Sequence, residues 1–128
     1  MILADTDIIV DMLRGHPPAI AWLNSLGTQR ISIVGFTALK VIQGCPDATI
    51  LKRAQQRLHD YEVVWPTISD SDRALERFGP KRLSHGLDVL DCLIAETAIG
   101  LGEPLHTFNT RHFAAYPELA TTQPYAKT

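Results

Sequence analysis

The sequence predicts an α/β fold, a three-layer sandwich in which helices cover both faces of a mostly parallel sheet. Three observations lead there. Short apolar or β-branched runs alternate with helical segments along the chain, the pattern of parallel strands joined by crossover helices. The 128 residues, 45% hydrophobic and 20% charged with a formal charge of -2, suit one ordinary domain with a single sizeable core. Finally, residues 1–7, Met-Ile-Leu-Ala-Asp-Thr-Asp, carry an apolar run to two acids just where Ile8, Ile9, Met12 and Leu13 take up helical spacing. A carboxylate at the C-terminal end of a buried strand stands where open α/β sheets bind their ligands. Asp5 is the expected centre of the site.

Taken in order, the strand before Asp5 leads to a helix over residues 6–14, stopped by Gly15 and the Pro17-Pro18 pair. A second helix over 18–26 turns Trp22 and Leu23 inward, and Gly27 to Gln29 form a turn. Residues 30–34 are a β-branched strand, followed by a helix over 36–43 that Gly44 and Pro46 end. Residues 47–59 form an amphipathic helix with Ile50, Leu51, Ala54 and Leu58 on one side and Lys52, Arg53 and Gln56 on the other. A third strand covers 61–65 and is broken by Pro66; a helix over 69–78 begins with Asp70 to Asp72 in its first turn. Residues 79–86 read as a polar, basic connection. The strongest helix covers 87–101, with Leu90, Leu93, Ile94, Thr97, Ala98 and Leu101 as its apolar stripe and Gly102 closing it. Residues 103–107 are a fourth strand, and 119–123 a short edge strand.

Composition excludes several classes. A chain this apolar is no disordered tail, and its net charge argues neither for nor against nucleic acid. Cys45 and Cys92 are too few and too scattered for a disulfide framework or a zinc cluster, and read as buried free thiols in a reducing compartment. No run approaches a membrane span, and the Asp-rich start lacks the basic region of a signal peptide. The expectation is a cytoplasmic protein without membrane contact.

Three places compete to supply chemistry beside Asp5. Asp88 and Asp91, three residues apart at a helix start, share a face of its first turn. They also fit a helix cap, Asp88 at the N-cap and Asp91 at the third position, with Leu87 and Cys92 as a staple. Thr107-Phe108-Asn109 emerges polar from an apolar strand, which by itself is an Asx turn. Lys40 is the one charged residue within Thr37-Ala38-Leu39-Lys40-Val41-Ile42, and by itself is a solvated lysine.

Together these residues resemble one family. Ile2-Leu3-Ala4-Asp5-Thr6-Asp7, with Asp11 and Leu13-Arg14-Gly15, is similar to the opening of PIN-domain proteins, whose first acid ends the first strand and is followed by Thr or Ser. Asp91-Cys92-Leu93-Ile94-Ala95 resembles the family's Asp-x-Leu-Ile-Ala helix start. The segment Leu105-His106-Thr107-Phe108-Asn109-Thr110-Arg111-His112-Phe113 resembles its Leu-x-Thr-x-Asn-x-x-His-Phe turn, and Ile31-Ser32-Ile33-Val34 leading to Gly44 completes the order. The likeness covers nearly the whole chain and is greatest to the small VapC-like toxins of type II toxin-antitoxin systems. It implies a PIN-like α/β/α sandwich with four or five strands, and a ribonuclease using Mg²⁺ or Mn²⁺ held by carboxylates. Hard divalent ions prefer oxygen ligands, and such an ion would activate water and neutralise charge on a phosphodiester. On the resemblance, Asp5 and Asp91 are metal acids, Asn109 stands where a further Asp or Asn is expected, and Thr6, Asp7 and Asp88 are supporting or substrate-side groups. It also implies an RNA substrate, a cognate antitoxin and a homodimer.

Lys40 departs from the pattern. The family places Glu in the helix after the second strand, and here the matching step reads Lys40-Val41-Ile42-Gln43-Gly44. An ammonium near Asp5 and Asp91 attracts both by a few kcal/mol at an effective dielectric of about 20, and repels a divalent ion comparably. The expectation is weak metal binding and little or no cleavage, through divergence or an inactivating substitution. Arg14, Lys81, Arg82 and Arg111 are candidate RNA contacts, since phosphate contacts position a strand without reading it. Two other classes also fit parts of the chain. A haloacid-dehalogenase-like phosphotransferase begins with a strand ending Asp-x-Asp, as Asp5-Thr6-Asp7 does. A receiver-like or dimerisation module is compatible with the fold class alone.

Overall fold

The computed structural model describes residues 1–127. The chain runs through β1 (Ile2–Ala4), α1 (Thr6–Leu13), α2 (Pro17–Ser25), β2 (Ile31–Val34), α3 (Gly35–Gln43) and α4 (Ala48–Leu58). It continues through β3 (Glu62–Val64), α5 (Ile68–His85), α6 (Val89–Leu101), β4 (Leu105–His106), α7 (Thr110–Phe113) and β5 (Thr121–Thr122). The five strands form one sheet in the order β3-β2-β1-β4-β5, with every pairing parallel. Chain order runs outward in opposite directions from β1, so the crevice beyond β1 and β4 is the topological switch point of the sheet.

Side chains that alternate across the strands build a core on each face. Leu3 and Val34 join Leu87, Cys92, Ile94, Ala98, Phe113 and Tyr116 beneath α5, α6 and α7. Ala4, Ile31 and Ile33 join Ile8, Met12, Ala19, Val41 and Ala54 beneath α1 to α4. The expected three-layer sandwich is therefore present, with all five strands parallel. Among the described residues no helix is long and apolar enough to cross a membrane. Both cysteines are free; Cys92 is buried, and Cys45 is only half-buried because it lines an open groove.

The expected connection over 79–86 is instead the second half of α5. Proline normally interrupts a helix because it lacks an N–H and its ring crowds the preceding turn, yet α5 carries Pro80 in its interior. Gly79 has no Cβ to meet the proline ring, and anchors on both sides hold the helix. Arg73 and Arg77 bind the Glu96 carboxylate, and Lys81 donates to the Ala115 carbonyl while lying 4.4 Å from the Tyr116 ring centre. The helix ends only at Gly86, whose φ of 66° is a left-handed cap.

Helix α6 also differs from its expected stripe. It is buried around most of its circumference, so Glu96 lies fully inside while Leu101, placed on the stripe by periodicity, is 41% exposed. Glu96 is tolerated there because two guanidinium groups meet it. A one-turn helix, α7, follows the 107–109 turn where no element was expected.

Candidate functional site

Asp5 ends β1 at the switch point and is 3% exposed. Its Oδ2 accepts a hydrogen bond from the Thr107 hydroxyl at 2.8 Å, across from the end of β4. Its Oδ1 is buried with no hydrogen-bond partner among the described residues. Burial, and after it the charge of Asp7, push the Asp5 carboxyl up to about 6; the charge of Asp91 adds to the same effect.

Asp7 lies one residue into α1 and acts as a clasp. Its two oxygens accept the backbone N–H groups of Ile8 at 2.9 Å and Phe108 at 2.8 Å, tying α1 to the turn after β4. Burial raises its pKa despite these bonds. Thr6 lies between the two acids with its hydroxyl oxygen buried and unpartnered among the described residues.

Asp88 and Asp91 reconcile the two readings of their spacing. Asp88 is the N-cap of α6 and accepts the Asp91 N–H at 2.8 Å. A reciprocal capping box would turn the Asp91 side chain back to the cap; instead that carboxylate, 3% exposed as a residue, meets Lys40, whose Nζ donates to its Oδ1 at 2.8 Å. Lys40 Nζ is also 3.8 Å from Asp88 Oδ2. Burial by itself would lower the Lys40 pKa, but the bond to Asp91 and the charges of Asp91, Asp88 and Asp5 outweigh it and raise the pKa. The residue that breaks the family pattern thus stands inside the acidic cluster as a firmly charged ammonium.

Asn109 completes the ring. Its backbone N–H donates to Thr107 Oγ1, and its amide nitrogen is 3.0 Å from His112 Nδ1, itself 3.8 Å from Asp91 Oδ2. A cavity of about 350 Å³ opens among Asp5, Asp7, Asp11, Arg14, Lys40 and Asn109. Of the expected RNA contacts, only Arg14 lines it among the described residues. Arg82, in the last turn of α5, and Arg111, in α7, are exposed and do not line it, and Lys81 is engaged with Ala115 and Tyr116.

Whether this donor set fits a divalent ion can be judged atom by atom. The orphaned Asp5 Oδ1 is a free, buried carboxylate ligand. Against it, Asp91 is already neutralised at contact distance by Lys40, and among the described residues no three His, Cys, Asp or Glu side chains are grouped to hold a metal. With Lys40 in place the residues do not fit such an ion.

Thr107 was part of a candidate segment and His112 and Asp11 stood within the family-like strings, but none of the three carried an assigned role. Thr107 and His112 are spoken for only by their place in the turn after β4. Nothing local to Asp11 showed what binds it.

The acids, their clasp and the turn that receives them all lie within residues 2–119, the span matched by the family model described as PIN domain. The chain is a PIN domain. Among curated relatives, it is 33% identical to Ribonuclease VapC19 of Mycobacterium tuberculosis, an alignment covering 93% of this chain and 97% of that one. Solved structures share the fold. A toxin-antitoxin complex from Klebsiella pneumoniae superimposes with a TM-score of 0.74 at 24% identity over 98% of both chains. DNA-bound VapBC from Salmonella typhimurium gives a TM-score of 0.77 at 20% identity, covering 97% of this PIN domain and 99% of its counterpart. Membership in this family leaves no place for the phosphotransferase reading of Asp5-Thr6-Asp7.

Proposed function

We propose that this PIN domain is a VapC-like ribonuclease, the toxin member of a toxin-antitoxin pair acting on RNA in the cytoplasm, and that Lys40 holds its acidic site in a weakly active state. One observation carries the reading: Asp5 and Asp91 converge at the switch point of the sheet, and the ammonium of Lys40 sits 2.8 Å from Asp91 Oδ1. The name of the VapC19 relative and the toxin-antitoxin neighbours support the class of activity and the kind of partner. Asp5 and Asp91 are the residues proposed to take Mg²⁺ or Mn²⁺ once the cation beside them is gone, with Asn109 and Asp88 at the rim. Two open surfaces are available to partners. A groove of about 590 Å³, with Val10, Leu13, Val41 and Ile50 among its walls, adjoins the site and suits an antitoxin helix or strand laid across it. Ile68, Leu75 and Leu83 are exposed apolar side chains spaced along α5 that suit a second copy of the chain.

The test compares the chain with Lys40→Glu by Mn²⁺ titration calorimetry and a ribonuclease assay on the same samples. The expected outcome is metal binding and metal-dependent cleavage in the glutamate variant alone. Strong cleavage by the unaltered chain would refute the role given to Lys40. If neither sample cuts or binds, a non-catalytic PIN-like binding module is the better account, a reading favoured by the same ammonium beside Asp91.

A further inference from the structure

A cation that no local pattern singled out reaches the site from the far end of the chain. After β5 the backbone doubles back over α1, and residues 123–127 are bound there by side chains. Tyr125 donates its hydroxyl to Asp11 Oδ2 at 2.7 Å, and Lys127 Nζ donates to the same oxygen at 2.6 Å. His16 Nε2 lies 3.0 Å from the Lys127 carbonyl oxygen. The Tyr125 ring packs 5.0 Å from Phe108 and 6.1 Å from Trp22, centre to centre. Phe108 is the residue whose N–H Asp7 holds, so this strap is fastened to the same turn and helix that carry the carboxylates.

The fastening places Lys127 on the wall of the acidic cavity, with Arg14 and Lys40 as its other cations. Its ammonium has three N–H groups. Asp11 takes one, the Phe108 face lies 4.6 Å away, and the side chain is half exposed, so donor capacity is left toward the cavity. Burial would raise the pKa of Asp11, but the bonds from Lys127 and Tyr125 outweigh it, so Asp11 serves as a lasting counter-charge. A polyanion brought toward Asp5 and Asp7 needs cations where its phosphates enter, since the floor of the cavity repels it.

We infer that Lys127 contacts a backbone phosphate of the RNA strand at the mouth of the site, and that Asp11 and Tyr125 are positioning residues that hold it there. The inference rests on the ribonuclease reading. Lys127 is thus a substrate-binding residue acting on the strand beside the reacting bond.

The experiment measures anisotropy of a fluorescein-labelled, short single-stranded RNA with the full chain, in EDTA, over a series of KCl concentrations. Lys127→Gln is expected to weaken binding about tenfold, the scale of one lost charged hydrogen bond, and to reduce the salt slope by about 0.7. Lys127→Arg should retain both. Tyr125→Phe keeps the ammonium and should retain the slope, with an affinity loss clearly smaller than that of Lys127→Gln and a lower melting temperature. Unchanged affinity and slope in Lys127→Gln, with the parent still binding RNA, overturn the inference and leave the ribonuclease reading standing. Equal loss of affinity in Lys127→Gln and Tyr125→Phe, tracking their loss of stability, also overturns it, because the strap would then be structural only. No RNA binding by either the parent or Lys40→Glu overturns both readings.

Discussion

Replacing Lys40 by Met removes one charge and leaves Asp91 buried without its partner. At the observed 2.8 Å, an effective dielectric of about 20 gives an attraction of about 6 kcal/mol. Part of this is offset, because the lysine side chain gives up hydration to reach a position where it is 23% exposed. Breaking a fully buried pair from one side costs about 3–5 kcal/mol, and the partial exposure of Lys40 brings the expected loss to about 2–3 kcal/mol. For a chain of this length that lowers the melting temperature by about 7–11 °C. The same substitution frees Asp91 beside the orphaned Asp5 Oδ1, so Mn²⁺ should now bind. At about a hundred times its Kd it returns about 2.7 kcal/mol, close to what was lost. Scanning calorimetry of the parent and Lys40→Met, each with and without Mn²⁺, makes the comparison. The reasoning fails if Lys40→Met melts with the parent in metal-free buffer, or if Mn²⁺ stabilises both equally.

Two further outcomes follow from other buried charges. For Asp5, the rise from 3.8 to about 6 means that the folded state keeps its proton longer than the unfolded chain, worth about 3 kcal/mol. That stability is present below about pH 4 and is lost as pH rises through about 6, so Asp5→Asn should match the parent at low pH and exceed it by about 2–3 kcal/mol at neutral pH; parallel stability curves from urea titrations would argue against it. Further along α6 from Asp91, Glu96→Gln leaves Arg73 and Arg77 facing a neutral amide. It should cost about 3 kcal/mol with the denaturation slope unchanged, and RNA affinity should stay as it was, since that pair of arginines is remote from the cavity.

The elements that could be read from the chain are those whose causes are local. The apolar run before Asp5, the β-branched residues 31–34 and the Gly102 stop each announce themselves within a few residues, and all appear close to where they were expected. The continuation of α5 through Pro80 could not be read this way. It depends on Glu96 and Ala115, which are brought to Arg73, Arg77 and Lys81 only by folding. For the same reason Arg82 and Arg111 looked like site residues by their charge and do not line the cavity, while Lys127, which nothing in the sequence singled out, lines it.

The sequence by itself determined the α/β class, the parallel order implied by strand-helix alternation, and the place of Asp5 at the end of the first strand, whereas Asp91 was drawn to the site only by the family resemblance. These follow from periodicity, caps and turn residues, which act over one or two helical turns. Only the tertiary structure decided what those acids face. Lys40 and Asp91 are 51 residues apart, and Lys127 and Asp11 are 116 apart. Charge pairing depends on distance in space and on burial, neither of which has a local signature in the chain.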